Sequence, residues 1–170
     1  MDPEDVLAAV LRHLNEALTY NQLYRKVFNA HIRFDAPVFM MPSHLRIGEA
    51  YGLHLFEPRY SIMIRNLIDA TRNPAQAGSG ERIEYGSQGG VITPPLLIHA
   101  NLGSRLSPGE CACLVQVIQC EIFERGNANV RLLPVCWVRL DRIWIRAGEA
   151  HLFYAKATRL PSKKEIYNSV

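Results

Sequence analysis

Between residues 53 and 68 the apolar positions of the chain change period. Leu53 and Leu55 alternate with His54 and Phe56, the pattern of a strand with one face turned inward. From Tyr60 onward the apolar residues fall at Tyr60, Met63, Ile64, Leu67 and Ile68, the spacing of one helix face. The switch sits at Pro58, whose fixed φ and missing N–H suit a first helical position. Glu57 beside it puts negative charge where the helix dipole favours it. Arg59 is the odd residue: a cation in the first turn opposes the dipole, and Glu57 at i−2 does not face it along a helix. Arg59 is therefore expected to reach a partner elsewhere in the fold and pin the helix to a sheet. The bend reads as the keystone of a core and not as a reaction site.

Upstream, residues 2–29 carry helical spacing, with Asp2 as cap and Pro3 at the first position. The apolar stripe of Val6, Leu7, Val10, Leu11, Leu14 and Leu18 gives way near Tyr20 to a second stripe on another side. The spacing fits two short helices or one helix buried on changing sides. This arm is expected to pack on the rest of the domain, the barrel, or, as the alternative, on another subunit. Strand-like segments follow at 36–41 and 46–56, the latter with turns around Gly48-Glu49 and near Gly52.

Residues 74–90, rich in Gly, Ser and Gln, read as a mobile surface loop. Beyond them the pattern is β. The run 91–98 is interrupted by Pro94-Pro95, which assigns it to an edge or an irregular strand. The run 111–123 is apolar on both faces, a strand buried inside a curled sheet. A hairpin turn at Glu124-Arg125-Gly126-Asn127 leads back into 129–133, and 135–146 and 151–157 are joined across Ala147-Gly148-Glu149. With only one interior helix, the elements predict an α+β fold, mainly β, built as a small pseudobarrel.

The totals change this picture little. At 170 residues, 48% hydrophobic and 21% charged, the chain has the make-up of one soluble globular domain. No apolar run approaches a membrane span, and the acidic start Met1-Asp2-Pro3-Glu4-Asp5 lacks the basic opening of a secretory signal. An intracellular, cytoplasmic protein with no membrane partner is expected. A net charge of +3 is too mild to argue for nucleic acid by itself.

The heptapeptide His54-Leu55-Phe56-Glu57-Pro58-Arg59-Tyr60, followed by a Met-Ile-Arg helix, resembles the hallmark of the Lon protease N-terminal, or substrate-binding, domain family. Ala36-Pro37-Val38-Phe39 looks like that family's opening strand. Arg125-Gly126-Asn127 with Arg131-Leu132-Leu133 looks like part of its second sheet, and Tyr154-Ala155-Lys156-Ala157 like its closing strand. The resemblance covers about residues 34–160, leaving 1–33 as an N-terminal helical arm and 161–170 as a tail. It implies a PUA-like pseudobarrel with one core helix after Phe56-Glu57-Pro58-Arg59-Tyr60. It also implies a module that binds unfolded or apolar polypeptide segments, or a specific protein partner. No Gly-x-x-x-x-Gly-Lys-Ser/Thr phosphate loop is present, so a non-enzymatic role associated with proteolysis is expected.

Candidate chemistry is sparse, and no cofactor or metal is expected. Cys111, Cys113, Cys120 and Cys136 include no Cys-x-x-Cys and read as small buried hydrophobes in a reducing compartment. His54 and Glu57 are three apart, but the proline and helix start between them spoil a metal geometry. Gly78-Ser79-Gly80 precedes no apolar helix, so it is a poor phosphate cradle. The last third carries seven basic residues against three acidic ones from 139 to 170. Within it, Arg142-Ile143-Trp144-Ile145-Arg146 places Arg142, Trp144 and Arg146 on one strand face. Those residue types suit a protein hot spot and, as the alternative, RNA, since PUA-like barrels also serve RNA. The competing reading is a solvated strand face with Trp144 covered by the N-terminal arm.

Overall fold

The computed structural model describes residues 2–7, 33–71, 83–85, 95–101, 105–146, 148 and 151–161. Its strands are β1 (Arg33–Met40), β2 (Tyr51–Leu55), β3 (Ile83–Tyr85), β4 (Leu96–Ala100), β5 (Cys111–Ile122), β6 (Ala128–Ile145) and β7 (Phe153–Arg159). One helix, α1 (Pro58–Thr71), stands between β2 and β3. In the sheet order β2-β6-β7-β1-β4-β5-β3, β6 also pairs with β5, so β6, β7, β1, β4 and β5 close into a ring. All pairings are antiparallel except β1 with β4. This is an α+β fold, mainly β, with the ring of a pseudobarrel.

β5 is apolar on both faces because it serves two cores. One set of side chains, Ala36, Val38, Ala112, Leu114, Leu140 and Ala155 among them, fills the ring. The alanines suit an enclosure only five strands wide, where larger side chains would overpack. The opposite set, including Phe39, Leu97, Cys113 and Val115, packs with Tyr60, Met63, Ile64 and Ile68 of α1. Tyr60, Met63, Ile64 and Ile68 are buried as the spacing predicts, with Leu67 half-buried.

Pro58 begins α1, and Glu57 caps it. The Glu57 carbonyl accepts the N–H groups of Tyr60 and Ser61, both at 3.0 Å. At the far N-terminus residues 3–7 are helical: Asp2 Oδ1 accepts the Glu4 N–H at 3.1 Å, and Val6 and Leu7 pack against the ring core. The remainder of the anticipated arm, 8–32, and the tail beyond 161 lie outside the described residues.

Four expectations need correction. No turn occurs at Gly52, which lies inside β2. The stretch 74–90 contains β3, paired antiparallel with β5; the rest of that stretch lies outside the described residues. The strand after Pro94-Pro95 is not at an edge: β4 starts at Leu96 and runs between β1 and β5. Pro95 precedes it and offers its carbonyl to the Val117 N–H at 2.9 Å, so its missing N–H costs no ladder bond. Finally, Pro134 does not divide two strands. β6 runs through it for 18 residues, because the register shift opposite Leu114 and Val115 makes Val135 a bulge residue.

Candidate functional site

The bend at the end of β2 exposes one large side chain. Phe56 is 73% exposed, and its ring stacks on His54 with centroids 6.5 Å apart. His54 is held by the 124–127 turn and the start of β6. Its Nδ1 lies 2.6 Å from Asn129 Oδ1, and Asn127 Nδ2 lies 3.4 Å from its Nε2. Glu57, for its part, accepts from Arg59.

Arg59 corrects its expectation. Nε donates to Glu57 Oε2 at 3.0 Å, and the guanidinium lies 4.5 Å from the Tyr60 ring centroid. The rule that i and i−2 do not face each other holds within a helix, and Glu57 stands outside it in the bend. Arg59 therefore braces the corner locally. Tyr60 makes the longer reach, its hydroxyl accepting the Met40 N–H at 3.2 Å and its ring meeting Phe39 edge-on at 4.6 Å. Burial pushes the Tyr60 hydroxyl up, partly opposed by that N–H and by Arg59.

The second cluster lies on β6 and β7. Asp141 falls where the β6–β7 register shifts between Leu140 and Arg142. This extra residue inverts the alternation: Leu140 and Ile143 both pack on the ring core, while Arg139, Arg142 and Arg146 are exposed and Trp144 is half-buried. The Asp141 carboxylate accepts from the Thr158 hydroxyl and from Arg139 Nε at 3.0 Å. The Thr158 bond foremost, then Arg139, hold it below the usual carboxylate range.

Beyond the bulge, Trp144 pairs with Tyr154 and their rings stack at 6.3 Å. Arg142 lies 5.5 Å from the Trp144 centroid, and Arg146 lies 4.3 Å from that of Tyr154. The structure thus gathers Arg142, Trp144 and Arg146 and adds Tyr154 between them. Lys156 stands directly across from Arg142, two like charges in register. On its other side Lys156 is in register with Asp35 of β1, so an opposite charge already flanks it within the sheet. Trp144 packs beside the α1 core, whereas Val6 and Leu7 join the ring core.

One cluster was not anticipated. His99 is fully buried on β4. Its Nε2 is 2.9 Å from the Met41 carbonyl, which can only accept, so Nε2 carries the proton. Nδ1 then accepts from the Tyr51 hydroxyl at 2.6 Å. Burial holds His99 below its ordinary value, offset in part by the Met41 bond, and pushes the Tyr51 hydroxyl up. Burial also raises the neighbouring Cys113 thiol, which keeps it protonated and unreactive. The sequence signal was a single polar residue in the apolar run Leu96-Leu97-Ile98-His99-Ala100. Three of the four cysteines are buried; Cys111 is exposed, against expectation. Among the described residues no three His, Cys, Asp or Glu side chains gather as metal ligands. No helix of the described residues is long and apolar enough to cross a membrane.

The closed strand ring with one helix packed on its flank has the architecture of a pseudobarrel. No family model and no curated protein matches the sequence. Among solved structures, it is similar to a Lon N-terminal domain protein from Xanthomonas campestris: 18% identity, TM-score 0.50, with 75% of this chain covered. The N-terminal domain of Mycobacterium avium complex Lon protease is 14% identical, with a TM-score of 0.47 over 76% of this chain and 56% of that one. The chain spans 61% of the Xanthomonas protein. It has the fold of a Lon N-terminal domain.

Proposed function

We propose that this chain is a non-enzymatic protein-recognition module of the Lon substrate-binding type, intracellular, cytoplasmic and associated with proteolysis. Residues 34–160 form its recognition domain, with the helical arm 1–33 and the tail 161–170 as flanking segments. It binds unfolded or apolar polypeptide segments, or a specific protein partner. The observation that carries this reading is the face of Arg142, Trp144 and Arg146 on a Lon-type scaffold, with an exposed cation beside each of two stacked rings. Arginine and tryptophan in such a setting are the residues on which binding energy concentrates. Phe56-Glu57-Pro58-Arg59-Tyr60 serves as the structural motif that sets the helix. The test is co-sedimentation and light scattering with a denatured model protein. Retained complex and suppressed aggregation are expected. Failure to bind unfolded chains, together with failure to recover any partner, contradicts the reading.

RNA is the second reading, favoured by exposed Arg142 beside the half-buried Trp144 ring, with Lys156 in register across the ladder. Titration of labelled single-stranded RNA at two salt concentrations separates the two. Salt-sensitive association favours RNA, and silence at low salt removes it.

A further inference from the structure

β2 ends the sheet. β6 pairs with one of its sides, and among the described residues no strand lies on the other. A free row of N–H and C=O groups templates strand addition, so exposed edges are ordinarily blunted by lysine, proline or inward-pointing charge. β2 reads Tyr51-Gly52-Leu53-His54-Leu55 and carries none of these devices.

Gly52 is a second observation. Its φ is not positive, and a Cβ built on it would meet only the Val130 carbonyl oxygen at 3.8 Å, an ordinary contact. Neither backbone conformation nor packing among the described residues requires glycine there. Glycine inside a strand also marks where another backbone or ligand approaches closely. Directly across from Gly52 on β6 is Arg131, which is exposed. Phe56, of the same parity as Gly52 and His54, stands 73% exposed just past the strand.

We infer that the open edge of β2 takes an extended polypeptide segment as an added strand, an acidic side chain of the segment lying over Gly52 toward Arg131 and an apolar one against Phe56. The inference rests on polypeptide recognition as proposed above and assigns it a second, backbone-mediated site apart from the Arg142 face. The size of the edge selects the occupant. Five residues span roughly 17 Å. Pairing along that length falls well short of the roughly 1,200–2,000 Å² buried when two folded domains associate stably. A short extended segment matches that length without needing a larger interface. Arg131 then sets the charge of the side chain that crosses Gly52.

The test uses the full chain and a fluorescein-labelled peptide of alternating apolar and polar residues, with a Glu and a Phe four residues apart. Two variants of it are N-methylated at every second residue, in the two possible phases. A strand edge bonds only alternate residues of its partner, so one phase is expected to lose about tenfold in affinity and the other little. Phe56→Ala and Arg131→Ala each weaken binding about three- to tenfold, and replacing the peptide Glu by Gln matters only while Arg131 is present. Both side chains are exposed, and circular dichroism verifies that the variants fold. Equal loss in neither phase or in both overturns the edge site while polypeptide recognition stands. If denatured protein binds but no peptide does, the edge alone is overturned; if neither binds, both proposals fall. Self-association abolished by Phe56→Ala would assign the edge to a second copy and overturn the inference.

Discussion

The hydroxyl of Tyr51 lies 2.6 Å from Nδ1 of His99, and Nε2 of the same ring donates to the Met41 carbonyl at 2.9 Å. One imidazole thereby ties β2, β4 and the segment leaving β1 together under α1. Phe39 encloses it edge-on at 5.0 Å, and Cys113 sits opposite on β5. Tyr51→Phe leaves Nδ1 buried without its donor. Destabilisation by about 1–3 kcal/mol is expected in urea unfolding. An unchanged midpoint would show that the bond contributes nothing.

His99 also makes stability depend on pH. Its folded value lies below the ordinary 6.5, so below that pH the unfolded chain binds more protons than the folded one. The contribution is complete above 6.5 and is lost as pH falls from there toward the folded value. Each pH unit in that window removes at most about 1.4 kcal/mol. Urea midpoints at pH 7.5 and 5.5, compared with those of His99→Gln, isolate this component. A variant as acid-sensitive as the parent would assign the loss to other groups.

Arg59 contributes through Glu57 and Tyr60, both at the same corner, and the Arg59 and Glu57 side chains are partly exposed. Arg59→Ala is expected to cost only about 0.5–1.5 kcal/mol, with coupling to Glu57→Ala below about 1 kcal/mol. Loss of several kcal/mol in thermal unfolding would require a buried distant partner instead.

Lys156 faces Arg142 across the β6–β7 ladder. Asp35 of β1 faces it from the other side, so the two pairings largely cancel and Lys156→Gln should leave stability within about 0.5 kcal/mol while weakening the bound partner. Differential scanning calorimetry and a binding titration together check that binding changes while stability does not. Binding that survives the change would place the partner off this face.

The sequence revealed elements wherever pattern and chemistry agreed locally. Pro58 and the Tyr60-to-Ile68 spacing marked the bend and helix, and the two-sided apolar run marked β5. A pseudobarrel was legible from the strand count and the single interior helix, but which strands close it was not, because that depends on long-range pairing: β6 meets β5, β2 and β7, and Pro134 looked like a break since a bulge residue is invisible to period-2 counting. Asp141 is a second such residue, and only its bulge explains why exposed Arg139 is followed by exposed Arg142. β3 is too short at three residues to show any period. For the candidate face, Arg142, Trp144 and Arg146 were legible from alternation. Tyr154 and Lys156 were not, because they enter from the neighbouring strand.

The most direct measurement is equilibrium binding of a fluorescein-labelled, reduced and carboxymethylated model protein to the full chain, repeated with Trp144→Ala and Arg142→Ala. Saturable binding, weakened about tenfold or more by each variant whose circular dichroism is unchanged, is the expected result. Absence of binding at concentrations up to about 100 μM, where even a weak complex of roughly −5.5 kcal/mol would be half-formed, would contradict polypeptide recognition by this face.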